Sequence, residues 1–393
     1  MKKFALHLVY LLLCSGYGEP EKSMNISADF PGGNILVDGI VDNTVSVRPD
    51  QKGTDPTKGE WFYWQFKVEQ AQGKEVKFVF QQDHAITRNG PAYSRDEGKT
   101  WQFLHTDSLV DTNEFSFRFG NEDTSVLFCM TIPYVKSDWE RFIAPKLSSS
   151  SGSIEVSPLA ETRQGRAAKY YRIKDPDHEV ERTLLLTSRH HACESTASFV
   201  LEGAVDAFLA KLKAGDPLVQ GVQLIAIPFM DLDGVQLGEQ GKNRAPHDHN
   251  RDYIQFLYPT TRALESLFPR ITEGTTTTNI DLHSPWIKFN QNESLFFIGQ
   301  EKADFSKRAE DLALLIDSLY DGELPFDAET AIFPYGKDWN SRTMEESFEN
   351  RLLSFSQWGA LQENVFLATT LEVAYSNVKG TVLTKENLRE FGA

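Results

Sequence analysis

Cysteine is nearly absent: Cys14, Cys129 and Cys193 are the only three in 393 residues. Three such distant thiols cannot make the disulfide framework by which small exported domains compensate for thin cores. Positive charge is also in deficit, with 56 acidic residues against 40 basic and a formal charge of -16. A chain of that sign repels a phosphate backbone, which argues against nucleic acid as a partner. No apolar run reaches the roughly 20 residues of a membrane-spanning helix. There is no internal repeat, and no low-complexity tract beyond the serines at 148–153. What is present is 40% hydrophobic residues, enough to fill two cores at roughly 100–200 residues per domain.

Residues 1–18 carry the three parts of a secretory signal peptide: Lys2 and Lys3, the apolar run Phe4 to Cys14, and the small-residue stretch Ser15 to Gly18. Its removal implies an exported protein, periplasmic or secreted, with a charge near about -18 and no integral membrane segment. The alternative is a lipoprotein acylated at Cys14, although Leu13 is large where such sites carry a small residue. Cys193 reads as a small buried filler.

From Ile26 to Thr131 short runs such as Trp61–Val68, Val76–Phe80 and Phe115–Phe119 alternate at period two between Gly, Asn and Asp turns. This predicts an antiparallel β-sandwich over residues 19–135. Over 136–393 the texture changes. A helix is expected at Asp138–Leu147, and strand-like runs at Thr183–Thr187, Val222–Ile227, Asn279–Leu282 and Val365–Leu371 alternate with helices at Thr196–Leu212, Asp304–Leu319 and Met344–Leu361. The second part is therefore an α/β domain with a mixed sheet flanked by helices.

Chemistry gathers where those strands end. Ser188-Arg-His-His191-Ala-Cys-Glu194 follows the first strand and precedes a helix, so a His and a carboxylate three apart turn toward one point. Zinc suits imidazole and carboxylate ligands, and a catalytic site uses three of them. His283, in Asp281-Leu-His-Ser284, ends another strand, and strand ends in an open α/β sheet face a common crevice. Between them, Gly241-Lys-Asn-Arg244 and His247 to Tyr253 form a polar run that is costly to bury without partners.

The order H-x-x-E (His191, Glu194), D-G-V (Asp233 to Val235), Arg244, D-x-N-R (Asp248 to Arg251), D-L-H-S and a late T-x-E (Thr370 to Glu372) resembles the metallocarboxypeptidases. The branch it most resembles is the cytosolic-carboxypeptidase-like one, which also begins with a β-sandwich. The resemblance implies that His191, Glu194 and His283 bind Zn2+, and that Asp248 orders a ligand imidazole. It implies that Arg244 polarises the scissile carbonyl, Asn250 and Arg251 grip a terminal carboxylate, and Glu372 is the base. Two departures stand out: Ala192-Cys193 replaces Pro-Gly inside H-x-x-E, and Thr343 to Thr370 lacks the tyrosine of pancreatic-type members.

The expected function is thus zinc-dependent hydrolysis of amide bonds in a peptide substrate. A deacylase of the aspartoacylase or succinylglutamate desuccinylase type shares the H-x-x-E and the later His, but the sandwich and D-x-N-R favour a peptidase. A non-catalytic binding module has no use for Glu372. The strongly acidic chain also disfavours polyglutamate as substrate.

Overall fold

The computed structural model describes residues 23–52, 61–104, 113–150, 152–242, 244–288 and 290–393. The signal-peptide reading of residues 1–18, Cys14 included, lies outside them. Nine strands form two sheets in the N-terminal part. One orders β1 (Asn25–Ser27), β4 (Gln65–Glu69), β9 (Ser125–Cys129), β6 (Ala92–Ser94) and β7 (Gln102–Phe103). The other orders β2 (Leu36–Val41), β3 (Thr44–Arg48), β5 (Glu75–Phe80) and β8 (Glu114–Arg118). Alternation decides which side chains meet: Val76, Phe78 and Phe80 of β5 and Phe115 and Phe117 of β8 are buried, while their neighbours along each strand face outward. The phenylalanine rings pack against Trp64, Phe66 and Phe128 at centroid separations of 4.7–6.2 Å, as in Trp64–Phe80 at 4.7 Å and Trp64–Phe115 at 6.2 Å. Pairing is antiparallel except between β3 and β5, which run parallel.

Helix α1 (Lys136–Ser149) leads into the α/β part. There an eight-stranded sheet orders β10 (Ile154–Glu161), β11 (Ala167–Lys174), β13 (Val222–Ile227), β12 (Arg182–Ser188), β14 (Thr276–His283), β17 (Val365–Val373), β15 (Leu295–Ile298) and β16 (Ile332–Phe333). Its centre, β13, β12, β14 and β17, is parallel. Parallel strands need covered faces, and two apolar layers provide the cover. Phe199, Leu201 and Val205 of α2 (Thr196–Ala214) belong to one core with Leu186, Leu224 and Leu282. Leu264, Phe268 and Ile271 of α4 (Pro259–Thr272) form another with Leu185, Ile225 and Ala368. Between these helices in sequence lies α3 (Leu232–Leu237), and α5 (Ala303–Leu319) contacts β17.

The single helix expected over Met344–Leu361 is two, α6 (Met344–Glu349) and α7 (Phe355–Gly359). Arg351 takes a left-handed φ of 57° between them, and Thr343 with Glu346 and Ser354 with Gln357 each form a capping box that starts a new helix. The chain ends in α8 (Lys385–Gly392), which packs against α2 so closely that Gly203 lies under the Arg389 carbonyl, where a Cβ would come within 2.0 Å of the oxygen.

The sandwich is fastened to the α/β part beside the strand ends. The backbone N–H groups of Phe62 and Tyr63 donate to Gln240 Oε1 at 2.8 and 3.2 Å. Asn34 donates to the Gly238 carbonyl at 2.6 Å, and Arg88 pairs with Glu293 through two bonds of 2.6 and 2.7 Å. Cys193, Ile287 and Tyr375 enter the core of the sandwich itself, and Cys193 and Cys129 are both buried free thiols.

Candidate metal centre

The pairing register delivers the site. β12 and β14 run in step, Ser188 opposite Leu282, and β14 and β17 place His283 beside Glu372. The turn after β12 carries His191 and Glu194 and is held by the buried Arg189. That guanidinium donates to the Ala192 carbonyl at 3.1 Å and the Tyr134 carbonyl at 2.8 Å.

One ligand atom from each of His191, Glu194 and His283 lies within 4.8 Å of the others. His191 Nδ1 is 2.8 Å from Glu194 Oε1, and His283 Nδ1 is 2.7 Å from Glu194 Oε2. The second approach lacks hydrogen-bond geometry, so Glu194 Oε2 is a buried acceptor without a donor. The far nitrogen of each imidazole is held by another carboxylate: His191 Nε2 lies 2.9 and 3.0 Å from the Asp248 oxygens, and His283 Nε2 lies 2.6 Å from Asp281 Oδ2. Carboxylates on the outer nitrogens fix ring orientation and aim the inner ones at a shared point. Two imidazoles and one carboxylate so arranged fit a zinc ion.

A second group, His190, Asp281 and His283, has the same compactness. Hydrogen bonds explain it, since His190 Nδ1 meets Asp281 at 2.8 Å and its Nε2 meets the Tyr253 hydroxyl at 2.6 Å, which leaves neither nitrogen for a cation.

Electrostatics follow from burial and these contacts. Burial alone would raise the carboxyl of Glu194, but Lys242, His191 and His283 hold it well below the usual range. Asp248 is likewise held low against its burial, by His191 and Arg251. Glu372 goes the other way. Burial and the negative Glu194 push it up to about 7, against the opposing pull of His283, Lys242 and His191. Its Oε2 has no hydrogen-bond partner.

Of the residues expected from the sequence, the structure brings together His191, Glu194, His283, Asp248 and Glu372. Asn250 lies beside His283: its Oδ1 accepts from the Phe355 N–H at 2.9 Å and its Nδ2 is 3.0 Å from His283 Nε2. Arg251 donates to the Asn250 carbonyl at 2.7 Å. Arg244, expected to polarise a carbonyl, is ion-paired with Asp231 and with Glu239, the latter at 2.5 Å. Asp233 of D-G-V binds the turn between β10 and β11, through Thr162 at 2.8 Å and Arg166 at 2.7 Å.

Two residues of the site were passed over in the sequence. Asp281 stands two before His283, and strand periodicity puts i and i+2 on one face. Lys242 lies within the Gly241 to Arg244 run, and its Nζ is 2.8 Å from Glu194 Oε1. A cavity of about 700 Å³ lined by Arg88, Glu293, Phe296, Phe333, Lys337 and Lys379 includes none of these site residues.

No family model matches the chain. Among curated proteins it is similar to mouse cytosolic carboxypeptidase 6, with 24% identity over 310 residues covering 70% of this chain and 56% of the relative. The human counterpart is also 24% identical, with 60% of it covered, so the chain spans little more than half the length of these relatives. Among solved structures, a metallo-carboxypeptidase from Burkholderia cenocepacia superposes with a TM-score of 0.74 at 19% identity, covering 94% of this chain and 96% of that one. One from Pseudomonas aeruginosa, in complex with (2-guanidinoethylmercapto)succinic acid, superposes at 0.72, also at 19% identity and with the same coverages. The chain is a sequence relative of the cytosolic carboxypeptidases, and it carries the metallo-carboxypeptidase fold over nearly its whole length.

Proposed function

We propose that the chain is a zinc carboxypeptidase that removes residues from the free C-terminus of peptides. The observation that carries this reading is the convergence of His191 and His283 on Glu194, each imidazole backed by its own carboxylate, with Glu372 in register beside them. Zinc, when bound, supplies a Lewis acid that activates water and polarises a carbonyl. The protein groups do the rest. Asp248 and Asp281 hold the two imidazoles in one tautomer and orientation. Arg251 receives the terminal carboxylate, for which a guanidinium fork is suited. Glu372 takes the proton of the attacking water as the O–C bond forms, and returns it to the departing nitrogen as the C–N bond breaks. The matched relatives are named as carboxypeptidases, which favours a peptidase over the deacylase alternative.

Metal analysis of the purified protein is expected to find about one zinc per chain. His191→Ala and His283→Ala are each expected to remove it. Binding left intact in both variants would sink the metal assignment.

Peptides with free C-termini are expected to shorten by one residue at a time in mass spectra, and C-amidated versions to resist. Equal cleavage of both forms would exclude exopeptidase action. Arg251→Ala is expected to raise KM by about 10–150-fold, because a charge-assisted hydrogen bond contributes roughly 1.5–3 kcal/mol. An unchanged KM would move carboxylate capture to another residue.

Export is part of the proposal, resting on residues 1–18. The matched relatives carry "cytosolic" in their names and do not support it, while no helix among the described residues is long and apolar enough to cross a membrane. The N-terminal mass of protein recovered from the native host decides: a chain still beginning at Met1 would exclude cleavage.

A further inference from the structure

We propose that the cavity beside β15 seats the part of the peptide upstream of the scissile bond, and that it takes an apolar side chain two or three residues before that bond. The proposal rests on the peptidase reading above and names the substrate class of that same site: extended peptides of about four residues or more, aromatic or large aliphatic at those positions.

Position is the first ground. β15 and β17 are antiparallel neighbours with Phe296 directly opposite Glu372. Residues so opposed share a face, with Cβ atoms roughly 4.5–5.5 Å apart. Phe296 lines the cavity, which therefore begins one strand beyond the proposed base. The other walls come from the same end of the sheet: Ser294 just before β15, Thr330 just before β16, and Asn377 and Lys379 of the hairpin after β17, made of β18 (Asn377–Val378) and β19 (Thr381–Val382).

The direction of the substrate follows from the other side of the triad. Arg251, which would hold the terminal carboxylate, is joined through Asn250 to His283 on β14. β14 flanks β17 on the side away from β15. A chain anchored there, with its scissile bond at the triad, crosses Glu372 toward β15. Strands lie about 4.8 Å apart and an extended chain advances roughly 3.3–3.6 Å per residue, so the second and third residues upstream of the bond reach the cavity.

The lining selects the side chain. A volume of about 700 Å³ is within the usual size of a ligand pocket. Phe333 pairs with Ile298, two residues on from Phe296, so the two rings share a face and cluster around Ile298. Trp339 packs on Phe333 at 4.9 Å and is 55% exposed, which continues the apolar surface outward. The charges at the rim are already matched. Arg88, the sandwich's contribution to the wall, is held by Glu293, which also accepts from Asn377 at 3.0 Å. Lys379 Nζ lies 3.5 Å from Asp327 and donates to the Thr330 hydroxyl at 3.0 Å. A charged occupant would have to break such pairs, whereas an apolar one leaves them whole.

The test uses the zinc-loaded full chain and N-acetylated peptides of two to six residues that share their last two, with Ala, Phe or Glu at the third and fourth positions from the C-terminus. In the Phe series kcat/KM is expected to rise up to four residues and then level off. At four residues Phe should exceed Ala by about 10–150-fold, the effect of burying one large apolar side chain. Thr330→Trp, which fills the cavity from an exposed position, is expected to keep its zinc and bring the Phe-to-Ala ratio near one. Thr330→Ala removes the same hydroxyl without filling the space and should keep the ratio. Equal turnover of the Phe and Ala peptides by wild type would overturn the proposal, as would faster turnover of the Glu peptides or a ratio that survives in zinc-loaded Thr330→Trp. The peptides are still cleaved in each of those cases, so the peptidase reading stands. The wild-type series decides even if Thr330→Trp fails to fold. A wild type that cleaves none of the peptides would overturn the peptidase reading, and this proposal with it.

Discussion

Gly241→Ala is expected to destabilise the protein by about 2–6 kcal/mol and to weaken zinc retention with it. Two penalties add. Gly241 sits at φ 85°, a backbone conformation that costs a side-chain-bearing residue roughly 1–3 kcal/mol. The new Cβ would also lie 2.4 Å from the Ala192 nitrogen and 3.0 Å from the His191 Cα. Those are backbone atoms of the ligand turn, so no rotamer change relieves the clash, and overpacking of this kind adds about 1–3 kcal/mol. The two penalties separate experimentally. Gly165→Ala, at φ 72° with nothing within 4 Å of its Cβ position, incurs the backbone penalty alone. Urea unfolding midpoints of the two variants, with zinc content measured in parallel, should show Gly241→Ala clearly the worse. If it unfolds with the Gly165→Ala midpoint and full zinc, the loop is not seated on the ligand turn as described.

That close approach explains why part of the site was legible in the sequence and part was not. The ends of β12, β14 and β17 each carry a short motif, and parallel strands deliver their ends to one crevice whatever joins them. His191, Glu194 and His283 could therefore be grouped as candidates from strand ends, Glu372 entered through the family resemblance, and register sets His283 beside Glu372. Asp248 followed from its motif and meets His191 as expected. The cations were another matter. Two basic residues two apart on an irregular loop have no periodicity to say which way each points. What decides is Gln240 anchored by Phe62 and Tyr63, contacts between residues 178 and 177 apart in sequence. Arg244 was the natural choice by residue type, and only the carboxylates of Asp231 and Glu239 reveal it as engaged elsewhere.

The same contrast holds for the fold. Val222–Ile227 was found to the residue, and Thr183–Thr187 and Val365–Leu371 within two residues at their ends, whereas β4 starts four residues after Trp61 and β14 three before Asn279. The β10–β11 hairpin escaped because β10 lies at the sheet edge, has no fully buried residue and is broken by an irregularity near Pro158. Helix α4 escaped because Pro259 opens it and Pro269 lies within it, both of which read as punctuation rather than as helix.

Glu372→Gln is expected to keep the fold and the zinc yet lose about 10²–10⁴-fold in kcat, the usual worth of general-base assistance. The amide is nearly isosteric. The triad also does not include Glu372, so metal content should be unchanged. The variant lacks the one thing the reaction needs from this position, a carboxylate able to accept the water proton and deliver it to nitrogen. In the wild type that carboxylate works only when ionised, so kcat/KM should rise with pH through its pKa. Burial and Glu194 push that pKa up to about 7, with no metal charge acting on it. A zinc ion favours the anion, which places the acidic limb below 7, and Glu372→Gln should abolish the limb altogether. Stability supplies a second readout with its own sign. A carboxyl whose folded pKa exceeds its unfolded value near 4.5 contributes stability at low pH and loses it as pH rises through about 7. Metal-free wild type should therefore lose stability relative to Glu372→Gln across that window, by on the order of 3 kcal/mol. Near-wild-type turnover in the variant would assign the base wrongly. Loss of zinc would make Glu372 a ligand, and parallel pH–stability curves would mean that its carboxyl is not buried beside Glu194 as the structure has it.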